Sequence, residues 1–327
     1  MKNQKKFKNL TEKSRNILIT THAFPDADGI GSQIALCLAL NKKGHNAICV
    51  NEAPLQGRYK YLDSQKIVKS ADHFKKSPLF KTIDLTLVVD THSLSRVGNK
   101  MEKIIEASKE ILFIDHHPTS KEIMAIHIID TSKAATGEIV GKLIDSVLKV
   151  KLTEEMALPL YTAILIDTSS FRYPNVTGDT HRLLAKLLDA GVRPPIAYNK
   201  IYGTKKLANM ALLGEILSNV KSSEDNSIAW ITITEKMLKK YKVNPEDTHS
   251  FINYLLVLKN LKVACMFREN GNAIKVSLRS TGTADVSAMA QALGGGGHFH
   301  SAATSIQGKL SPTTTSTIKK IQLMLKD

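Results

Sequence analysis

Four apolar stretches of the chain run into aspartate: ILITTHAFPDADGIGS (17–32), LTLVVD (85–90), ILFIDHH (111–117) and TAILID (162–167). One such run means little. Four of them, with five aspartates and three histidines between them, suggest oxygen and imidazole ligands gathered at one edge of a sheet. A set of that kind suits two divalent cations, and paired cations imply phosphate chemistry. In an open parallel sheet, ligands bind beyond the carboxyl ends of the strands. Asp90, Asp115 and Asp167 are expected at such ends, with His22 and Asp26 just past the first. Asp26 and Asp28 stand two apart, so each carboxylate can face a different ion. Gly29 and Gly31 then permit a tight turn into a helix whose N-terminus can face an anion. Carboxylate with some imidazole and no thiolate favours Mn²⁺ or Mg²⁺ over structural zinc. Asp115-His116-His117-Pro118 is the most specific element. Adjacent residues after a strand point to opposite sides, so one histidine can ligate a metal while the other reaches substrate.

The elements that must position these groups alternate between strand and helix. Strands are expected at 17–21, 45–51, 83–90 and 110–115, with a short one at 126–130. Helices are expected at 29–43, 99–108 and 136–150, and another begins after Thr153 and leads into the 162–167 run. This alternation indicates a parallel α/β sheet with flanking helices. The stretch 177–218 reads as helical, with breaks at Gly191–Pro195 and Gly203. The segment SNVKSSEDNS is polar and lacks periodicity, which places a linker at 218–227 between domains 1–217 and 228–327. The second domain reads as a smaller mixed α/β unit. It has a strand at 228–234, a hairpin of 261–269 with 273–280 around Asn270-Gly271-Asn272, and a helix over 285–293. A glycine run, a strand near 302–306 and a closing helix at 312–325 follow.

A chain of 327 residues is more than one core usually serves. Its 43% hydrophobic and 23% charged content is that of a globular protein, and no apolar stretch is long enough to cross a bilayer. The basic N-terminus leads straight into the first ligand cluster rather than into a secretory apolar region, so a cytoplasmic location is expected. Cys37, Cys49 and Cys265 are odd in number and widely spaced, and read as reduced, packed thiols. The formal charge of +15 favours polyanionic partners. Only 6% of residues are aromatic, which does not indicate an extended stacking platform for long single strands.

These motifs together resemble the DHH phosphoesterase family, named for the Asp115-His116-His117 triplet, over nearly the whole chain. His22-x-x-x-Asp26-x-Asp28 resembles its first motif, Asp90 its second, the triplet its third and Asp167 its fourth. LRSTGTADVSAMAQALGGGGH (278–298) resembles the signature of the DHH-associated C-terminal domain. IDTSSFRYPN (166–175) and GDTHRLLAKLLDAG (178–191) resemble a subgroup of bacterial oligoribonucleases that also act on 3′-phosphoadenosine 5′-phosphate. The resemblance implies one metal held by His22, Asp26 and Asp90, and a second held by Asp28, Asp90, His116 and Asp167, with Asp90 bridging. It implies that Asp115 orients His116 through its ring N–H, and that His117 contacts the scissile phosphate and protonates the leaving oxygen. Gly295, Gly296, Gly297, His298, Arg279 and Ser280 would hold the remaining nucleotide, glycine letting backbone N–H groups approach a phosphate. Arg172 could touch a substrate phosphate or make an ordinary ion pair. Ser301-Ala302-Ala303 and His300 depart from the family pattern, which bears on the shape of the base pocket. The expected activity is manganese-dependent hydrolysis of short single-stranded RNA, releasing mononucleotides, or of small nucleotides such as 3′-phosphoadenosine 5′-phosphate. The rivals are a cyclic or linear dinucleotide phosphodiesterase, a pyrophosphatase, and a non-catalytic nucleotide- or RNA-binding protein. A homodimer is compatible with the sequence, although no residue pattern argues for it.

Overall fold

The computed structural model describes residues 3–119, 126–203 and 205–325. The chain divides into two compact units, Met1–Gly203 and Thr204–Asp327.

The first unit is built on a six-stranded parallel sheet. A helix not anticipated from the sequence, α1 (Gln4–Lys13), precedes β1 (Asn16–Thr20). Then come α2 (Ala27–Lys42), β2 (Asn46–Asn51), β3 (Val68–Ser70), α3 (Ala71–Phe74), β4 (Leu85–Val89), α4 (Asn99–Ile105), β5 (Glu110–Asp115) and β6 (Ile126–Ile129). The strand order is β3-β2-β1-β4-β5-β6, with every pair parallel. Alternate side chains of the apolar strands serve opposite faces. Ile17, Ile19, Leu87 and Ile114 pack on one face with Leu36 and Leu40 of α2, while Leu18, Val88 and Phe113 pack on the other with Phe74, Met101 and Ile104. The first face is closed by α5 (Thr136–Lys142), continued by a π-helical turn over Leu143–Leu148, and by α6 (Glu154–Asp167). Helices α7 (Gly178–Asp189) and α8 (Pro194–Ile201) complete the unit.

The structure departs from the sequence expectation at Asp167 and at Gly29 and Gly31. TAILID is the last turn and a half of α6, so Asp167 closes a helix and not a strand. Met156, Leu160, Ala163, Ile164 and Leu165 are all buried, and a helix apolar on every side has no polar stripe to betray it. Gly29 and Gly31 make no turn; both lie inside α2. Their use is close approach: a Cβ at Gly31 would lie 2.3 Å from the Pro159 carbonyl oxygen of α6, and one at Gly29 would lie 2.3 Å from Thr21 Oγ1. Gly31→Ala should therefore push α2 off α6 and destabilise the protein by about 1–3 kcal/mol. An unchanged denaturant midpoint would show that the helix pair has slack.

In the second unit, α9 (Leu207–Leu217) packs Leu212, Leu213 and Ile216 against Ile231 and Ile233. The remaining elements are β7 (Lys221–Ser222), β8 (Ile228–Ile233), α10 (Glu235–Tyr241), β9 (Val263–Asn270), β10 (Ala273–Ser280), α11 (Val286–Ala292), β11 (Gly296–His298), β12 (Ser301–Gln307) and α12 (Leu310–Met324). The sheet order is β11-β12-β10-β9-β8-β7; β8 and β9 are parallel and the other pairs antiparallel. The segment 218–227, expected as a linker, lies within this unit: β7 pairs with β8, and the polar residues form the turn between them. Polarity marks a surface hairpin turn and a linker alike, so composition could not separate them. Among the described residues no helix is long and apolar enough to cross a membrane, and all three cysteines are buried free thiols.

Candidate metal centre

Three carboxylates of the first unit, Asp26, Asp28 and Asp90, are each held by hydrogen bonds of their own. Asp26 caps α2: its Oδ1 accepts from the backbone N–H of Asp28 at 2.9 Å and of Gly29 at 3.3 Å. Capping fixes the carboxylate beyond the end of β1, beside His22. Asp28 is fully buried, and the N-terminus of α5 is aimed at it. Its Oδ2 accepts from Thr136 N at 2.7 Å and its Oδ1 from Gly137 N at 2.8 Å. Asp90 follows β4 with φ at 61°, a left-handed conformation that aspartate tolerates better than most residues. Its amide donates to Ile114 O at 2.9 Å, and its Oδ1 accepts from the Thr136 hydroxyl at 3.2 Å.

The triplet behaves differently from the expectation for Asp115. Asp115 does not hold the His116 ring. It takes His117 Nδ1 at 2.6 Å on Oδ1 and His92 Nδ1 at 2.6 Å on Oδ2, and reaches His116 only through its backbone N–H at 2.8 Å. The His116 ring is set by the Lys133 carbonyl, 3.2 Å from Nδ1. That turns His116 Nε2 inward, 3.1 Å from Asp167 Oδ2, 3.8 Å from Asp28 Oδ2 and 3.9 Å from Asp90 Oδ1. His22 Nε2 lies 3.4 Å from Asp90 Oδ2, and His117 Nδ1 lies 3.8 Å from Asp90 Oδ1. Three ligand groups result, each with its donor atoms within 4.8 Å of one another: His22 with Asp26 and Asp90, Asp28 with His116 and Asp167, and Asp90 with His116 and His117.

The electrostatics are those of too many anions in too little water. Burial, then repulsion from Asp90 and Asp167, holds the Asp28 carboxyl well above the usual range. Burial and the Asp26 charge do the same to Asp90. Burial lowers His22, outweighing the carboxylates beside it. Burial also pulls on His116, but the Asp167 contact and the charges of Asp28 and Asp90 prevail and raise it well above its ordinary value. Asp115 moves the other way: burial would raise it, yet its bonds to His117 and His92 hold it below the carboxylate range. These residues fit divalent cations. His116 Nε2 is buried with no aligned hydrogen-bond partner although carboxylate oxygens surround it, and a cation among those oxygens would satisfy both.

All six residues expected as metal ligands (His22, Asp26, Asp28, Asp90, His116 and Asp167) thus fall in this cluster. Arg172 is exposed, its guanidinium bonded to Ser169 O at 2.8 Å and Ser169 Oγ at 2.9 Å. In the second unit the last two of the four glycines, Gly296 and Gly297, open strand β11. A Cβ at Gly295 would lie 2.2 Å from Ala303 O and one at Gly297 2.4 Å from Ala302 Cα, whereas Gly296 faces open space. Two of the four glycines, Gly295 and Gly297, therefore serve close approach to β12. Arg279 and His298 both pair with Ser301 in register; the His298 side chain lies outside the described part. Arg279 also donates to the Leu278 carbonyl at 2.9 Å. Ser280 is buried, its hydroxyl 2.9 Å from His300 Nδ1, which gives His300 a structural use. Sequence reasoning passed over His92 and the Thr136-Gly137 amides. Position two residues past Asp90 was the signal for the first, and the start of a helix the signal for the second.

Comparison with known proteins matches residues 16–164 to the DHH family, N-terminal domain, and residues 233–326 to the DHHA1 domain. The chain is 31% identical to the bifunctional oligoribonuclease and PAP phosphatase NrnA of Thermus thermophilus, over 89% of this chain and 84% of that protein. It is 26% identical to the protein of the same name from Bacillus subtilis, over 86% of each. Among solved structures, an exopolyphosphatase-related protein from Bacteroides fragilis superposes with a TM-score of 0.90 at 26% identity, covering 99% of this chain and 98% of that one.

Proposed function

The chain belongs to the DHH family, and from that membership we propose a two-metal phosphoesterase that acts on short oligoribonucleotides and on 3′-phosphoadenosine 5′-phosphate. The observation that carries the reading is the sharing of Asp90 and His116 among three ligand groups, which lets one buried carboxylate serve two neighbouring cations. Such cations, when bound, lower the pKa of water and offset charge on the non-bridging phosphate oxygens. His22, Asp26 and Asp90 would hold one, and Asp28, Asp90, His116 and Asp167 the other. Oxygen and imidazole ligands favour Mn²⁺, with Mg²⁺ as the alternative.

The chain's own residues do the rest. With Nδ1 donating to Asp115, His117 would act on substrate through Nε2, giving its proton to the leaving oxygen. Asp115, held by His92 as well, keeps the ring oriented. The second unit would supply a nucleotide-holding surface of its own through Arg279, Gly296 and His298; Ser280, buried against His300, would act only by supporting it. Buried thiols fit a reducing, cytoplasmic setting.

The test is a substrate panel with Mn²⁺: 3′-phosphoadenosine 5′-phosphate, RNAs of two to five nucleotides, and cyclic di-AMP, with products resolved by length. The first two should turn over and the cyclic dinucleotide much more slowly. Preferential cleavage of cyclic di-AMP would reassign the protein to the rival phosphodiesterase class. Arg279→Ala should act mainly on KM, with a loss in kcat/KM of about 1.5–3 kcal/mol for a charged hydrogen bond. Equal KM in variant and parent would remove Arg279 from the substrate site.

A further inference from the structure

Phe24 stands between two of the metal ligands, in the sequence His22-Ala23-Phe24-Pro25-Asp26. It is 89% exposed, more than any other large apolar side chain among the described residues. A single exposed apolar residue on a surface needs no explanation. This one is different because of where its backbone is pinned. Ala23 N–H donates to Arg96 O at 2.7 Å, Pro25 fixes its own φ, and Asp26 is locked as the cap of α2. His22 and Asp26 are brought with Asp90 into one cluster of donor atoms within 4.8 Å. Phe24 is two residues from each ligand, so its Cα lies within roughly 7 Å of theirs whatever the local conformation. The loop therefore presents a fully hydrated benzyl group at the rim of a charged pocket, on a backbone with little freedom to withdraw it.

We propose that Phe24 is a specificity residue that stacks on a nucleobase of the substrate while the adjoining phosphate occupies the metal centre. The inference rests on the proposed nucleotide-hydrolase function and extends it to this chain's own base platform. A phosphate on the metals would leave its nucleoside about a sugar's length away, within the range open to a side chain two residues from both His22 and Asp26. Stacking suits a ring with no hydrogen-bonding group, since every base offers a π-face, and it selects nucleotides over base-free phosphoesters without selecting a sequence. Arg96, exposed and bonded to this loop through its backbone carbonyl, brings a cationic residue to the same segment. A low overall aromatic content argues against a track for long strands; one ring at the rim serves a substrate of a few nucleotides.

The experiment compares Phe24→Ala and Phe24→Trp with the parent enzyme. Steady-state kinetics use a diadenosine dinucleotide and its abasic analogue. Phe24→Ala should raise KM for the base-bearing substrate roughly 5- to 50-fold with kcat little changed, and should move KM for the abasic analogue far less. Phe24→Trp should restore KM. A second reading uses a dinucleotide carrying 2-aminopurine, with Ca²⁺ in place of the catalytic ion. Its fluorescence should be quenched on binding the parent and recover with Phe24→Ala. Equal fluorescence with the two proteins, or an equal KM shift on both substrates, overturns the proposal. Binding and turnover are read separately, so quenching without hydrolysis would remove the proposed function and leave the stacking role standing.

Discussion

Asp90→Asn should abolish turnover and the paired binding of metals while leaving a folded protein. Asp90 is buried at 2% exposure, and its two oxygens face His22 at 3.4 Å on one side and His117 and His116 at 3.8 and 3.9 Å on the other. The amide keeps an acceptor for the Thr136 hydroxyl and tolerates the left-handed backbone at this position, so it removes the charge and little else. A bridging carboxylate contributes to both cations, and losing several kcal/mol of charge stabilisation at about 1.4 kcal/mol per decade costs on the order of 10³-fold or more in kcat. Asp90→Ala should abolish turnover too, with a further cost from alanine in the left-handed region. The distinguishing readout is stability without metal. Burial and repulsion from its neighbours make the Asp90 charge unfavourable in the metal-free fold, so the asparagine variant should melt no lower than the parent once both are stripped of metal. A variant that retains near-normal rates at saturating Mn²⁺ would show that Asp90 does not bridge.

The parts of this centre that were legible in the sequence are those whose partners lie nearby along the chain. Asp26 and Asp28 straddle the start of a helix, Asp90 and Asp115 end apolar strands, and the paired histidines follow at once. Strand periodicity and turn chemistry are local properties, and they also expose the alternation that makes a parallel sheet. The remainder depends on packing. Asp167 was placed at the right site for the wrong reason, because a helix buried on every side reads like a strand when only six residues are weighed. Gly31 looks like a turn glycine until Pro159 of a helix more than 120 residues away is seen against it. The link from Asp115 to His92 spans 23 residues and that from Asp28 to the Thr136 amide 108, and no spacing rule reaches either. The glycine run reads in sequence as room for a phosphate to approach the backbone; two of its members also answer to the backbone of β12. Sequence thus reports which groups are candidates, and tertiary contact decides how each is held.

Removing the metals should abolish activity and lower the melting temperature of the protein, and the second effect should grow with pH. Asp28 and Asp90 have folded-state pKa values raised above their unfolded ones, chiefly by burial and then by neighbouring carboxylates. In the window between those values the native state binds more protons than the unfolded chain. Stability of the metal-free protein therefore falls as pH rises through it. His116, also raised, works in the same direction. Asp115 is depressed, so its contribution is lost only on acidification below the ordinary carboxylate range, outside this window. Cations displace exactly the protons that the raised groups retain, and ligand binding at 100 times Kd adds about 2.7 kcal/mol. For a unit of this size that corresponds to a rise of roughly 5–10 °C. Thermal scans of chelated and Mn²⁺-loaded protein at about pH 5.5 and about pH 8 should show the gap widening at the higher pH. A gap that stays constant, or narrows, would mean that Asp28 and Asp90 are not the groups whose charge the cations balance, and the shared-carboxylate assignment would fall with it.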